Sequence, residues 1–323
     1  MLAEVWEAAE GLDVVELDQG IGRPVRCFLL KYGGEWVLVD TGYPSTSGDL
    51  EKVVGRRSIS TILLTHLHLD HSGGLVSLES LRSRRLMYHE KEWLALEQVL
   101  ATESLVRGLF QGSEVEGFNI ALDYMKKLPK PHVFVSDGVR LGQWFLLHTP
   151  GHTPGHTTLF REGVAITGDL ILQHDTSNVA YIPLQGYRPL SEYLKSLVRV
   201  AKLEAEVIIP SHGPLIQDCR RRVGEIFHHH LRRLEQTSRA LQKGLTTPTE
   251  IAGEVQWSKG RFETLTPLDR WLAILETLSH LDFLEEHGYA SAYAPNGYRL
   301  SQDADWDRVE RGLANIAEGM WKP

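Results

Sequence analysis

The segment Thr65-His66-Leu67-His68-Leu69-Asp70-His71-Ser72-Gly73-Gly74 limits what this chain can fold into more than any other stretch. It follows the apolar run Ile62-Leu63-Leu64, which reads as a buried strand. Three imidazoles and a carboxylate thus crowd one strand end. Neutral imidazole nitrogen and carboxylate oxygen are good zinc ligands. In extended chain the i, i+2 spacing of His66 and His68 sends both rings the same way, while Asp70 and His71, beyond the turn, can face a second ion. Gly73 and Gly74 are expected to let the backbone turn tightly into a following helix. A lone His-x-His arises by chance on surface strands. The crowding here, in contrast, calls for a fold that gathers further ligands around this strand end.

Suitable partners occur downstream. His148-Thr149-Pro150-Gly151-His152-Thr153-Pro154-Gly155-His156 and Pro210-Ser211-His212-Gly213-Pro214 each place imidazoles beside turn residues. Gly168-Asp169 adds a carboxylate at another strand end.

The intervening texture is α/β or α+β. Residues 14–17, 25–31, 36–40, 59–65 and 86–89 read as strands, with Tyr32, Gly33, Gly34 and Glu35 as a hairpin turn. A second series covers 132–135, 143–148, 157–160, 164–167 and 207–209, so two sheets are expected. Residues 90–128 form a helical insertion, with Trp93, Leu96, Leu100, Leu105, Leu109, Phe110, Phe118, Leu122 and Met125 at helical spacing. It would roof a site, form a dimer contact or pack into a core. Residues 189–203 read as another amphipathic helix. Beyond residue 209 the chain turns helical, with a long helix over 221–243 ending at Gly244. Thr247-Pro248-Thr249-Glu250 resembles a helix start, 267–287 a long amphipathic helix, and Pro295-Asn296-Gly297 a hairpin turn. Helix, helix and hairpin in that order suggest a winged helix. The expected domains are a catalytic unit over 1–222, a linker helix over 223–245 and a winged-helix-like unit over 246–323.

Over residues 14–214 these motifs resemble the metallo-β-lactamase superfamily. The resemblance implies an αββα sandwich with ligands on loops along one edge. Carried over by motif, His66, His68 and His152 would hold a first metal, Asp70, His71 and His212 a second, and Asp169 would bridge them. Two divalent ions are implied, zinc first, with manganese or iron as alternatives. A hydroxide between them would attack the substrate, and Asp70 would orient it and help move its proton. Asp40, in Leu38-Val39-Asp40-Thr41-Gly42, resembles the family's strand-end aspartate that accepts a hydrogen bond from a ligating imidazole. His156 is a further outer-shell candidate, and His148, His174, Tyr187 and Arg188 are candidate substrate contacts. The β-lactamase branch uses a cysteine in its second site, so antibiotic hydrolysis is not expected here.

Composition narrows the partners. The formal charge of −8 argues against general nucleic-acid binding, which draws its affinity from neutralised phosphates. Within 246–302, four basic residues against eight acidic ones leave −4, so the tail is expected to pack, shape substrate or dimerise rather than read nucleic acid. Arg220, Arg221, Arg222, Arg232 and Arg233 are the counterweight. The run His228-His229-His230 lies in a helical pattern, where adjacent side chains splay by ~100°, and reads as a helix face rather than a metal tract. Cys27 and Cys219 read as buried thiols. No apolar run nears the ~20 residues that span a bilayer and no secretory signal is seen, so a cytoplasmic location is expected. The leading function is hydrolysis of a small-molecule thioester, ester or lactone. Alternatives are an endoribonuclease or other phosphodiesterase, and a mononuclear iron enzyme of the persulfide dioxygenase type.

Overall fold

Alternation of apolar residues along the strands builds two sheets that share an interior. A computed structural model describes residues 3–321 except 21–22, 109, 111 and 294–296. The first sheet runs in chain order through β1 (Glu4–Ala9), β2 (Leu12–Leu17), β3 (Val25–Tyr32), β4 (Glu35–Val39), β5 (Ile59–Leu63), β6 (Arg85–His89) and β7 (Val133–Val135). It is antiparallel as far as β4 and parallel from there on. The second sheet contains β8 (Arg140–Leu141), β9 (Trp144–His148), β10 (Thr157–Arg161), β11 (Val164–Ile166) and β12 (Val207–Ile209), in the order β12-β11-β10-β9-β8.

The period of two separates the layers. Val14, Phe28, Leu30, Val37, Val39 and Leu63 face Trp144, Leu146, Leu159, Ile166 and Ile209 between the sheets. Their neighbours Val15, Cys27, Leu29, Leu38 and Ile62 pack outward against α1 (Ser47–Val54), α2 (Leu69–Ser77) and α3 (Glu79–Arg82), through Leu50, Val54, Leu75 and Leu81. The insertion forms α4 (Glu90–Ala101), α5 (Glu103–Arg107) and α6 (Glu114–Met125). On the outer side of the second sheet lie α7 (Pro189–Ala201) and α8 (Cys219–Gln242). The chain continues through α9 (Pro248–Glu254), α10 (Pro267–Glu286), the antiparallel pair β13 (Ala290–Tyr293) and β14 (Gly297–Leu300), and α11 (Trp306–Trp321). This is the expected αββα sandwich with a carboxyl-terminal helical region.

Two features place that region against the sandwich. One apolar cluster runs from Ala165 and Ile208 through Leu194, Val223 and Leu234 to Leu281, Leu284 and Leu313. A second joins Phe110, Phe118 and Leu122 of the insertion to Trp271, Ile274 and Leu278 of α10. Of the roles open to the insertion, core packing against α10 is therefore what the described residues show. The contact is close: a β-carbon at Gly117 would sit 2.5 Å from the Pro267 carbonyl oxygen. Leu109, Pro295 and Asn296, which entered the sequence reading, lie outside the described residues. Thr247 and Glu250 form a reciprocal capping box at α9. Cys27 and Cys219 are buried and unbonded to each other. Among the described residues no helix is long and apolar enough to cross a membrane.

Candidate metal centre

The histidine-rich segment leaves β5 and enters α2 at Leu69, so His66 and His68 stand on the connecting loop and Asp70 and His71 in the first helical turn. Gly73 and Gly74 do not form the turn expected of them. They lie inside α2, where β-carbons would meet Pro44 Cδ at 2.3 Å and Thr41 O at 2.2 Å, respectively. Their smallness lets α2 approach the strand-end loop 40–44, which carries Asp40 in a left-handed conformation (φ 59°). Thr41 N–H then donates to His71 O at 2.7 Å.

The fold brings the sequence candidates into two groups. One ligand atom each from His66, His68 and His152 lies within 4.8 Å of the others, and the same holds for Asp70, His71, Asp169 and His212. His66 Nε2 and His68 Nδ1 are 3.1 Å apart. Two nitrogens bound to one zinc at ~2.0–2.1 Å and a tetrahedral angle would be about 3.4 Å apart, so this spacing suits a shared ion. Asp169 faces both groups. Its Oδ1 lies 3.5 Å from His71 Nε2 and 3.7 Å from His212 Nε2, and its Oδ2 lies 3.9 Å from His152 Nε2. Asp70 Oδ2 is 3.0 Å from His212 Nε2.

Tautomers make the fit more than proximity. Carbonyl oxygens only accept, so His152 Nδ1 donates to Asn178 O at 2.8 Å and His212 Nδ1 to Pro24 O at 2.7 Å. His71 Nδ1 donates to Asp40 Oδ2 at 2.8 Å. Thr65 Oγ1 donates to Asp40 Oδ2 at 2.7 Å and so accepts from His66 Nδ1 at 3.0 Å. Each of the four imidazoles is thereby left with Nε2 as its free lone pair when neutral. His71 Nε2, His152 Nε2 and Asp169 Oδ1 are buried with no hydrogen-bond partner among the described residues. Burial and neighbouring imidazoles hold His66 well below the usual histidine range, and burial holds His152 down. Burial alone would raise Asp70, but His71 and His212 bring it to about 2, and His212 and His71 likewise hold Asp169 far down. In return, against the effect of burial, Asp70, Asp169 and Asp40 raise His71 well above the usual histidine range, and Asp169 and Asp70 raise His212, so these two imidazoles hold protons that a bound cation would replace. Imidazole nitrogens and carboxylate oxygens together fit divalent cations.

Two neighbours were missed in the sequence. Glu92 of α4 is buried and accepts from Leu67 N–H at 3.0 Å, Thr153 Oγ1–H at 2.5 Å and Gly155 N–H at 2.7 Å, stitching both histidine loops together. Asn178, whose carbonyl orients His152, donates from Nδ2 to Glu276 Oε2 of α10 at 2.8 Å. Neither has a local signature. His156 is buried, accepts from Asp169 N–H at 3.2 Å and pairs with Thr149 Oγ1 at 2.9 Å.

A cavity of about 640 Å³ opens from the ligands toward the carboxyl-terminal helices. Tyr43, Asp70, His152 and Asp169 line one part of it, and His229, Trp257, Leu272 and Glu276 another. His174 lines it as well. Tyr187 and Arg188 do not: the Tyr187 hydroxyl holds Gly151 O at 3.1 Å, and Arg188 pairs with Asp282 of α10. His148 bonds Pro154 O and stacks on His89.

The sequence profile of the metallo-beta-lactamase superfamily matches residues 20–212, more than half of the chain. The chain belongs to the metallo-beta-lactamase superfamily. Members of this superfamily are mostly metal-dependent hydrolases. A metallo-beta-lactamase family protein of Thermus thermophilus is 28% identical, with a TM-score of 0.75 over 91% of this chain and 100% of that one. The beta-lactamase-like protein 2 homolog of Drosophila melanogaster is 27% identical over 274 residues, 81% of this chain and 82% of that protein. An atrochrysone carboxyl ACP thioesterase of Aspergillus fumigatus is 27% identical over 226 residues, 67% of this chain and 59% of that protein. In metallo-beta-lactamase terms, the carboxyl-terminal helices lie beyond the matched profile yet supply part of the cavity wall.

Proposed function

We propose that this protein is a binuclear, zinc-dependent hydrolase of a small molecule with a carbonyl centre: a thioester, ester or lactone. The observation that carries the reading is Asp169, whose two oxygens face two separate groups of imidazoles at the head of one cavity. His66, His68, His71, His152, His212, Asp70 and Asp169 would hold divalent ions there, which would supply hydroxide at neutral pH by lowering the pKa of water from ~15.7 towards ~7.

The chain's own groups do the rest. Asp70, held at about 2, does not retain a proton at neutral pH, so its main task is to orient the attacking water and pass its proton on. The Tyr43 hydroxyl is kept protonated by burial and by Asp70 and Asp169, and offers a hydrogen bond to a substrate oxygen in the cavity.

The cavity wall favours a carbonyl compound over RNA. Its cations are paired: Arg23 with Asp175 at 2.7 Å, Arg233 with Glu276 at 3.0 Å and Lys259 with Asp269 at 2.6 Å. A phosphodiester backbone needs a track of unneutralised cations, and paired ones give little attraction. Leu172, Trp257, Leu265, Leu272 and Ala273 supply apolar contacts for an acyl group. The thioesterase name of the Aspergillus relative points the same way. The winged-helix-like tail then serves to shape the substrate cavity.

Purified protein loaded with zinc should hydrolyse members of a panel of acyl thioesters, esters and lactones, lose that activity to a chelator and regain it with zinc. It should leave RNA and a nitrophenyl phosphodiester intact. Cleavage of RNA with all acyl substrates spared would overturn the reading, as would one iron per chain with oxygen uptake.

A further inference from the structure

Helices α8 and α10 carry another cluster that the centre above does not use. One ligand atom each from His229, His230 and Glu276 lies within 4.8 Å of the other two. The splay of adjacent helix residues keeps His228 out in solvent, while His229 is half-buried and His230 is buried. Their rings stand edge to face, 5.2 Å between centroids, with Glu276 reaching them from the facing helix.

A chain of hydrogen bonds fixes His230. The carbonyl of Glu276 can only accept, so His280 Nδ1 is the donor at 2.7 Å. Neutral His280 then presents a lone pair at Nε2, 3.1 Å from His230 Nδ1, and His230 must donate there. Its own Nε2 is left as a lone pair, fully buried and with no hydrogen-bond partner among the described residues. Burial, helped by His280, His229 and Arg233, keeps His230 neutral, and burial with Arg233 brings His280 to about 3. A buried acceptor left unmatched is costly, so something should meet it.

Glu276 is held for the same purpose. Asn178 Nδ2 donates to one of its oxygens at 2.8 Å and Arg233 Nη1 to the other at 3.0 Å, and each oxygen keeps a further lone pair. An imidazole that donates its second N–H to a fixed acceptor, and a carboxylate that is itself hydrogen-bonded, are the usual surroundings of a bound metal. His229 and Glu276 line the cavity, which gives an ion its path in.

We propose that His229, His230 and Glu276 form an additional cation site, suited by two imidazoles and one carboxylate to a divalent transition metal such as zinc. The Arg233 guanidinium, spread over the Trp257 ring at 4.1 Å, opposes a second positive charge and makes this site weaker than the centre described above. Three protein ligands leave a coordination position open for a water or an oxygen ligand. Asn178 joins the two centres, its side chain on Glu276 and its carbonyl on His152.

The test counts zinc on the full-length protein and on His229→Ala, a change at a partly exposed residue that leaves the packing of α8 intact. Mass spectrometry after equilibration with excess zinc should find one more ion per chain in the wild type, and chelator titration should remove that ion first. Diffraction at the zinc edge should place an anomalous peak among His229, His230 and Glu276. Equal zinc content in the two proteins would overturn the proposal, and so would an extra ion located elsewhere. Neither result bears on the acyl hydrolase reading, which rests on the first centre.

Discussion

Replacing Glu92 with glutamine tests whether this carboxyl clamps the two histidine loops from inside the core. Burial dominates its environment and raises its pKa from 4.5 to about 7, against the three donors that favour the anion. A rise of that size corresponds to about 3 kcal/mol. For a carboxyl raised in the folded state, the contribution to stability is fully present below pH 4.5 and is lost as pH rises towards about 7, because the unfolded chain ionises first. Glutamine does not titrate. It also turns an amide N–H towards one of the donors that Glu92 accepts from, a roughly constant penalty of about 1–3 kcal/mol. The unfolding free energy of Glu92→Gln minus that of the wild type should therefore rise by about 3 kcal/mol across the window. Denaturant titrations of chelator-treated proteins at a series of pH values measure this double difference, and other titrating groups cancel from it. A flat difference would refute the reasoning, since Glu92 would then titrate as it does in the unfolded chain.

Three other outcomes are expected. Asp40→Asn keeps the left-handed backbone, which asparagine tolerates, but turns an amide towards His71 Nδ1; metal affinity by chelator competition should fall about 10- to 100-fold. Gly74→Ala forces a β-carbon to within 2.2 Å of a backbone oxygen and should cost about 1–3 kcal/mol or more in denaturant unfolding, whereas a loss of a few tenths would show that α2 can retreat. Zinc at a thousand times its Kd should stabilise the native chain by about 4 kcal/mol, seen as a thermal shift reversed by chelator, and no shift would count against the ligand set.

Much of the fold was legible because strand alternation and helix period are local. The two series of strands and the helices at 189–201, 219–242 and 267–286 fall close to where the pattern put them. The strand β1 escaped because it is an exposed edge, with Glu4 and Glu7 on it and little apolar alternation to detect. β8 is only two residues long, and its pairing with β9 depends on the turn between them. The amphipathic α11 was passed over after the hairpin. Gly73 and Gly74 show a different limit: a glycine needed for interhelical or helix-loop approach looks in sequence like one needed for a turn, and only its neighbours decide.

The site divides along the same line. Its candidate ligands are legible because three imidazoles and a carboxylate fall within six residues at one strand end. Their orienting partners are not, since Pro24 and Asn178 act through carbonyl oxygens that every residue possesses. The acidic tail makes the sharper case. Counting Glu276 and Asp282 as charges on a face that repels nucleic acid treats them as solvated, but both are buried, paired with Arg233 and Arg188. The net charge of the tail therefore does not measure its surface field. What argues against a phosphate track is instead the pairing of the cavity's cations with carboxylates, which leaves little net positive charge along its wall. The same buried carboxylate, once removed from the surface count, becomes available as a metal ligand, so the charge that seemed to describe the tail's exterior belongs to its interior chemistry.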